Sequence, residues 1–221
     1  MRDWRLSPEG PLALRLAADV RQGDTDYADD QIWELVLGVG DSPALALQTR
    51  YGGRCGLARI VPMWVVGSRS IYQAQGYAQG PVLRAFYPNY LRVTAKPLVN
   101  LALTAEFWAM DSHTVGGRWT FTNESDEPIA LRTELVAQVM TEGKDVEASL
   151  LPLERSPPVL CVRRVGNISP VIALEGAGPA SESAKLSRAL TVPAGGSASA
   201  RWIHVGVDQV ARPVEALNYS Q

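Results

Sequence analysis

The feature that most constrains the fold of this chain is a repeated alternation of apolar and polar residues. It is clearest over residues 12–20, 101–109, 129–139 and 202–207. A period of two is that of a β-strand with one buried face. Gly, Pro, Asn and Asp residues separate these segments, which is typical of a sandwich or barrel rather than of βαβ units. We predict an all-β fold of roughly 14 strands in two large stacked antiparallel sheets.

Two local patterns refine this prediction. Residues 115–139 contain two strand patterns joined by the turn-forming segment 123–128, which predicts a hairpin. At the other end of the chain, Val210, Val214 and Leu217 share one face of a helix that Asp208 can cap. The predicted organisation is a sandwich domain over residues 1–207 and the start of a helical linker over residues 208–221.

Charge and hydropathy exclude several classes of partner. The chain has 21 basic and 23 acidic residues, interspersed, for a net charge of -2. No basic stripe suits nucleic acid or an anionic membrane surface. The first residues lack the apolar segment of a signal peptide, and no apolar run approaches the ~18 residues of a spanning helix. We predict a soluble cytoplasmic domain with no nucleic-acid or membrane partner.

Catalytic and metal-binding motifs are scarce. The chain has two histidines, His113 and His204, and two cysteines, without the spacing of a zinc site. It lacks a nucleophile elbow and the glycine-rich loops that bind nucleotides. We therefore predict no cofactor, no metal and no complete catalytic site. His204 alternates in phase with Trp202, which favours a buried packing histidine.

The most suggestive polar segment runs from Asp111 to His113, directly after the apolar end of a strand that contains Trp108. An aspartate and a histidine beside a tryptophan are suited to contacting a ligand, because aromatic faces stack on sugars. The same segment is equally typical of a turn in which Asp111 hydrogen-bonds the backbone. The sequence leaves both interpretations open.

Several segments, taken in order, resemble a known family. They are Asp29-Asp-Gln-Ile-Trp-Glu-Leu35, Pro43-Ala-Leu-Ala-Leu-Gln-Thr49, Tyr51-Gly-Gly53, Arg59-Ile-Val-Pro-Met-Trp64, Phe107-Trp-Ala-Met-Asp-Ser-His113 and Thr122-Asn-Glu-Ser-Asp126. Together they resemble the N-terminal β-supersandwich domain, similar to galactose mutarotase, of bacterial glycoside hydrolase-like proteins. Those proteins are related to glucoamylases and amylo-α-1,6-glucosidases, within the six-hairpin glycosidase superfamily.

The resemblance implies a structural role. In such proteins the sandwich precedes an (α/α)6 toroid that carries the catalytic carboxylates, so no catalytic residue is transferred to this chain. The resemblance implies a non-catalytic accessory domain that packs on its own C-terminal (α/α)6 domain and helps to contact an α-glucan or another oligosaccharide. The contact candidates at the rim of the sugar pocket are Arg59, Trp64, Trp108, Asp111 and His113.

Two other functions remain open from the sequence. A stand-alone carbohydrate-binding module would use the same aromatic residues. A mutarotase-like sugar epimerase would need a general acid and base within hydrogen-bond reach of the sugar. With two histidines in the chain, His113 or His204 would have to face a glutamate such as Glu106 or Glu175.

Overall fold

The computed structural model describes residues 4–5, 14–16, 32–38, 40–51, 55–111, 113–141, 144–146, 149–151, 159–161, 168–178 and 185–208. Within these ranges the chain forms seventeen strands and one 3₁₀ turn, and no α-helix. The strands are β1 (Trp4–Arg5), β2 (Leu14–Leu16), β3 (Trp33–Val36), β4 (Ala46–Thr49), β5 (Leu57–Val66), β6 (Arg69–Ile71), β7 (Gln79–Tyr87), β8 (Tyr90–Leu98), β9 (Leu101–Asp111), β10 (Thr114–Asn123), β11 (Ile129–Thr141), β12 (Lys144–Val146), β13 (Ser149–Leu151), β14 (Val159–Cys161), β15 (Ile168–Leu174), β16 (Lys185–Val192) and β17 (Ser197–Asp208). The 3₁₀ turn is Ala74–Gly76.

The strands form two antiparallel sheets, which confirms the predicted all-β sandwich. The nine-stranded sheet has the order β1-β7-β8-β9-β10-β17-β15-β14-β13. The eight-stranded sheet follows the order β12-β11-β5-β4-β3-β2, with β16 also paired to β11 and β6 also paired to β5. Strands that are distant in sequence are therefore neighbours in each sheet, most notably β10 and β17.

The core lies between the sheets and is built from alternate positions. As the alternation predicts, β9 and β11 bury every second residue: Leu101, Leu103, Ala105, Phe107, Ala109, Leu131, Thr133, Leu135, Ala137 and Val139. Across the interface, the Trp64 ring centroid lies 4.9 Å from that of Trp119 and 5.1 Å from that of Phe121, both edge to face. This geometry is the one that aromatic quadrupoles favour. The inner faces are thus filled by side chains, and each sheet keeps an outer face.

The predicted hairpin over residues 115–139 is wrong in its pairing. The two strands exist, but β10 pairs with β9 and β17, whereas β11 pairs with β5 and β16. The turn between them carries the chain from one sheet to the other. Turn residues and alternation are the same for a hairpin and for such a crossover, so the sequence pattern did not separate them.

Asn123 organises this crossover from within the core. Its side chain is buried, and its Nδ2 donates hydrogen bonds to the carbonyls of Glu127 (2.7 Å) and Val192 (3.2 Å). Its Oδ1 accepts from the backbone N–H and the hydroxyl of Ser125. Both polar atoms of this buried amide are thus hydrogen-bonded, which stabilises the turn and connects it to the end of β16.

The C-terminal helix lies outside the described residues. Asp208 is the last residue of β17, and residues 209–221, with the predicted linker, are not described. The helix and the domain boundary at residue 207 stay predictions. In the part of the chain that is described, no helix is long and apolar enough to cross a membrane.

Candidate functional site

A row of aromatic side chains crosses the outer face of the nine-stranded sheet. Tyr87, Tyr90 and Trp108 occupy paired positions on β7, β8 and β9. The ring centroids of Tyr87 and Tyr90 are 6.3 Å apart, and Tyr87 is 60% exposed. We call these three residues the aromatic row. It offers flat apolar surface on an exposed sheet face, where a ligand or partner can reach it.

A glycine on the next strand leaves room for the Trp108 ring to lie against the sheet. Gly116 of β10 is paired with Trp108. A methyl group added at Gly116 would lie 3.3 Å from Trp108 Nε1 and 2.8 Å from the terminal methyl of Met110. The indole therefore extends across bare backbone, half-buried, with the 50% exposed Met110 beside it. A larger residue at position 116 would make this ring and the Met110 side chain shift.

A second row, two residues along the strands, is charged. Arg92, Glu106, Arg118 and Arg201 lie in register across β8, β9, β10 and β17. Glu106 Oε2 accepts from Arg118 Nε (2.8 Å) and Nη2, and its Oε1 accepts from the hydroxyl of Tyr90 (2.7 Å). We call these four residues the arginine row. The Tyr90 hydroxyl joins it to the aromatic row.

These contacts set the charge of Glu106. Partial burial raises its pKa, but the hydrogen bonds from Tyr90 and Arg118 and the positive charges of Arg118 and Arg92 outweigh this, so the pKa is lowered overall. Burial first, and then the neighbouring carboxylate, raise the pKa of Tyr90 to about 12. At neutral pH the pair is thus an ionised carboxylate and a neutral phenol, which is unsuited to donating a proton from Glu106.

Asp111 is the last residue of β9, and His113 directly precedes β10, at the end of this face. Asp111 is exposed, and its Oδ1 accepts a hydrogen bond from the backbone N–H of His113 (2.8 Å). The carbonyl of His113 accepts from the backbone N–H of Gly206 (2.9 Å). The structure therefore shows the hydrogen-bonded turn that was one of the two interpretations. Asp111 is on the same strand as Trp108, at the end of β9.

Arg59 lies on the opposite side of the molecule. It is on the outer face of the eight-stranded sheet, paired with Gln48, which is paired in turn with Glu34. Arg59 Nη2 donates to Gln48 Oε1 (3.4 Å), and Gln48 Nε2 donates to Glu34 Oε2 (3.1 Å). This separates Arg59 from Trp108, so the five predicted contact residues do not form one site.

Trp64 lies in the core. Its side chain has no exposed surface, and its Nε1 donates to the hydroxyl of Tyr77 (2.7 Å). In this structure no atom of a ligand or partner can reach the ring. The aromatic packing against β10 accounts for a tryptophan at this position.

His204 is also buried, as its phase with Trp202 predicts. Its Nε2 lies 2.9 Å from the hydroxyl of Tyr51, and its ring centroid is 4.6 Å from that of Trp33. Burial lowers the pKa of His204 to about 3. Among the described residues neither His204 nor His113 hydrogen-bonds a glutamate: Glu106 is bound to Arg118 and Tyr90, and Glu175 to Arg188. The pair that a sugar epimerase would need is not formed there.

Most of the outer site is not predictable from the sequence. Tyr90, Arg92, Arg118 and Arg201 come from three strands, and only the register of β8 with β9 and of β10 with β17 brings them together. The available signal was the period-two spacing of Glu106 and Trp108, which places both on one face. Within the described ranges no cluster of three metal-ligating side chains is formed.

Comparison with known proteins supports the fold and not a family. No family model matches the chain, and no curated protein matches it. Among solved structures it is similar to a protein from the human microbiome named as a kojibiose phosphorylase, with a TM-score of 0.51 and 8% identity. It also aligns with the Slr1438 protein from Synechocystis sp. PCC 6803 over 95% of this chain and 100% of that one, at a TM-score of 0.45 and 11% identity. The first alignment covers 94% of this chain but only 28% of the phosphorylase, so the sandwich described here has the fold of one part of a larger protein.

Proposed function

We propose that this chain is a non-catalytic accessory domain of a glycoside hydrolase-like protein. It packs on an (α/α)6 catalytic domain and contributes contacts to an oligosaccharide such as an α-glucan. The observation that supports this most is the likeness of nearly the whole chain to 28% of a protein named as a kojibiose phosphorylase. The ordered family resemblance of the sequence supports the same role, and a cytoplasmic location accompanies the proposal.

The outer face of the nine-stranded sheet is the proposed contact surface. It combines exposed Tyr87 and Met110 with the half-buried Trp108. Trp, Tyr and Met are enriched where protein surfaces bind partners, and flat rings suit sugar faces. The outer face of the eight-stranded sheet, with the polar row around Arg59, is the other surface through which the domain can contact its neighbour.

Assembly with the catalytic domain is testable directly. The source gene is sequenced beyond the codon for Gln221, and the encoded segment is co-expressed with this chain. We expect a segment of helical hairpins that co-purifies with the sandwich and raises its melting temperature, because a partner that binds only the folded state stabilises it. A gene that encodes no such segment would contradict the accessory role.

A stand-alone carbohydrate-binding module is the second candidate, favoured by the aromatic row. Titration of the isolated chain with maltooligosaccharides, followed by tryptophan fluorescence, separates the two functions. Submillimolar binding that disappears in Trp108→Ala would favour the module. Weak or absent binding by the isolated chain would favour a domain that contacts sugar only when assembled.

A further inference from the structure

The arginine row carries more positive charge than this face neutralises. Three arginines lie in register with one glutamate, and that glutamate is bound to Arg118 and Tyr90. Neither Arg92 nor Arg201 makes a side-chain hydrogen bond or ion pair with another described residue. In the described part of the sheet, neither guanidinium group has a hydrogen-bonded partner, although the charge of Arg92 acts on Glu106 at longer range, and the net charge of the chain is -2.

The strand register places two of these arginines next to each other, which lowers the stability of the sheet when no ligand is bound. Arg118 and Arg201 occupy directly paired positions on β10 and β17, and like charges in paired positions destabilise a sheet. The nearby Glu175 carboxylate is bound to Arg188 and to the backbone N–H of Arg201, so it is not paired with the Arg201 guanidinium. Local arrangements that cost stability without an internal partner are expected where a ligand supplies that partner.

The spacing of the unpaired groups limits the ligand. Arg92 on β8 and Arg201 on β17 are separated by three interstrand spacings, about 14 Å at the usual distance between strands. One carboxylate or phosphate cannot reach both groups, whereas a chain of sugars with several anionic substituents can. The aromatic row runs parallel to the arginine row, about 7 Å away along the strands.

We propose that this face binds an anionic oligosaccharide whose sugar units carry carboxylates. The faces of its sugars lie on Trp108 and Tyr90, and its carboxylates pair with Arg92 and Arg201. Guanidinium groups suit this ligand because they bind planar carboxylates through two parallel hydrogen bonds. This inference rests on the carbohydrate contact in the proposed function and specifies its ligand class.

Calorimetric titration of the purified chain tests the ligand class. The probes are trigalacturonate, which is an anionic trisaccharide, and maltotriose, which is a neutral one. Glucose 6-phosphate represents a single anion, and hexaglutamate represents an acidic protein segment. Each is titrated at low and at high salt. We expect trigalacturonate to bind at least about tenfold more tightly than maltotriose, with an affinity that falls as salt is added, since exposed charges are screened.

Matched variants locate the site. Arg92→Gln and Arg201→Gln are each expected to weaken trigalacturonate binding by about five- to tenfold, because each removes one exposed charge-assisted contact. Trp108→Ala is expected to weaken it at least as much. Arg69→Gln, an exposed arginine on β6 of the other sheet, should leave binding unchanged. Each of the four variants should still unfold cooperatively and well above the temperature of the titration, which shows that a loss of binding is not a loss of folding.

Each other outcome overturns the inference in a distinct way. If maltotriose binds as tightly as trigalacturonate, the face is a neutral-sugar site, and the proposed carbohydrate contact stands without the anionic class. If glucose 6-phosphate binds equally well, a single anion suffices and the oligosaccharide is excluded. If hexaglutamate binds best, the face docks an acidic protein segment. If neither oligosaccharide binds, the carbohydrate contact of the proposed function fails as well.

Discussion

Buried polar side chains connect the two sheets at one end of the sandwich. Tyr51 follows β4 in a left-handed conformation, with φ of 48°, and its ring enters the core beside His204 of β17. The rings of Tyr51 and His204 are stacked with centroids 5.8 Å apart, and Trp33 meets His204 edge to face. His204 Nδ1 makes no hydrogen bond with another described residue, so the bond between Nε2 and the Tyr51 hydroxyl is what satisfies this buried ring.

Removing that hydroxyl should destabilise the protein. In Tyr51→Phe neither ring nitrogen of His204 keeps a hydrogen bond to another described residue, and a buried polar group without a partner costs about 1–3 kcal/mol. Urea unfolding monitored by tryptophan fluorescence measures the change. Tyr72→Phe is the control, because the Tyr72 hydroxyl makes no hydrogen bond with a described residue, and its stability should change by less than about 0.5 kcal/mol.

His204 should also make the fold sensitive to acid. Its pKa of about 3 lies below the ordinary value of 6.5, so the unfolded chain binds its proton more readily than the folded one. The stabilisation by neutral His204 is therefore complete above pH 6.5 and is lost as the pH falls towards 3.

The size of this effect follows from the one additional proton that the unfolded chain binds in this pH range. Between about pH 6.5 and pH 5, the free energy of unfolding of the wild type should fall by about 2 kcal/mol more than that of His204→Gln. The glutamine side chain of this variant cannot titrate but can still bond the Tyr51 hydroxyl. Identical pH dependence in the two proteins would show that His204 does not titrate on unfolding.

At the scale of strands, a glycine on β10 makes room for a tryptophan of the neighbouring strand β17. Gly117 is paired with Trp202 on β17, and a methyl group at residue 117 would lie 2.6 Å from Trp202 Cε2. The indole rests on the bare backbone of β10, between the rings of Trp119 and Phe107. A tryptophan packed so closely between the sheets leaves no room for a larger residue at 117.

Gly117→Ala should therefore overpack the core. We expect a loss of about 1–3 kcal/mol in the free energy of unfolding, because a buried indole cannot shift without displacing its neighbours. Gly80→Ala in β7 is the matched control, since nothing lies within 4 Å of the added methyl. Chemical denaturation of both variants compares them, and equal stabilities would contradict the close approach of Trp202.

Strand formation was predictable at this scale, and strand pairing was not. The alternation identified the buried faces of β9 and β11, because residues two apart in a strand lie on the same face and the apolar set lies on the buried one. The alternation does not indicate which strands pair with each other. The sequence therefore predicts a hairpin at the turn that contains Asn123, although this turn joins the two sheets. The arginine row escaped prediction for the same reason, because it exists only through the register of β10 with β9 and β17.

For the candidate site, residue type alone did not predict which aromatic side chains lie on the surface and which lie in the core. Trp64 and Trp108 are both tryptophans in strand patterns, yet one packs between the sheets and the other lies on an outer face. Alternation predicts that neighbours in a strand face opposite sides, but the choice of the inner side depends on the second sheet. Asp111 was correctly placed at a strand end, where a short polar side chain bonds the backbone of a turn.

At the scale of the whole molecule, the two outer faces differ in character. The nine-stranded sheet presents the aromatic row and the arginine row, while the eight-stranded sheet presents the polar row of Glu34, Gln48 and Arg59. The described histidines are either sealed in the core or in a turn, and among the described residues neither has a carboxylate partner for proton transfer from its ring. The accessory role proposed above leads us to expect that the molecule acts through these outer faces.

The rate at which the isolated chain interconverts the α and β anomers of glucose and galactose, measured by NMR exchange, tests this expectation most directly. We predict the rate of buffer alone at every protein concentration. A saturable acceleration that disappears in His113→Ala would show a catalytic centre in this chain and would contradict the accessory role.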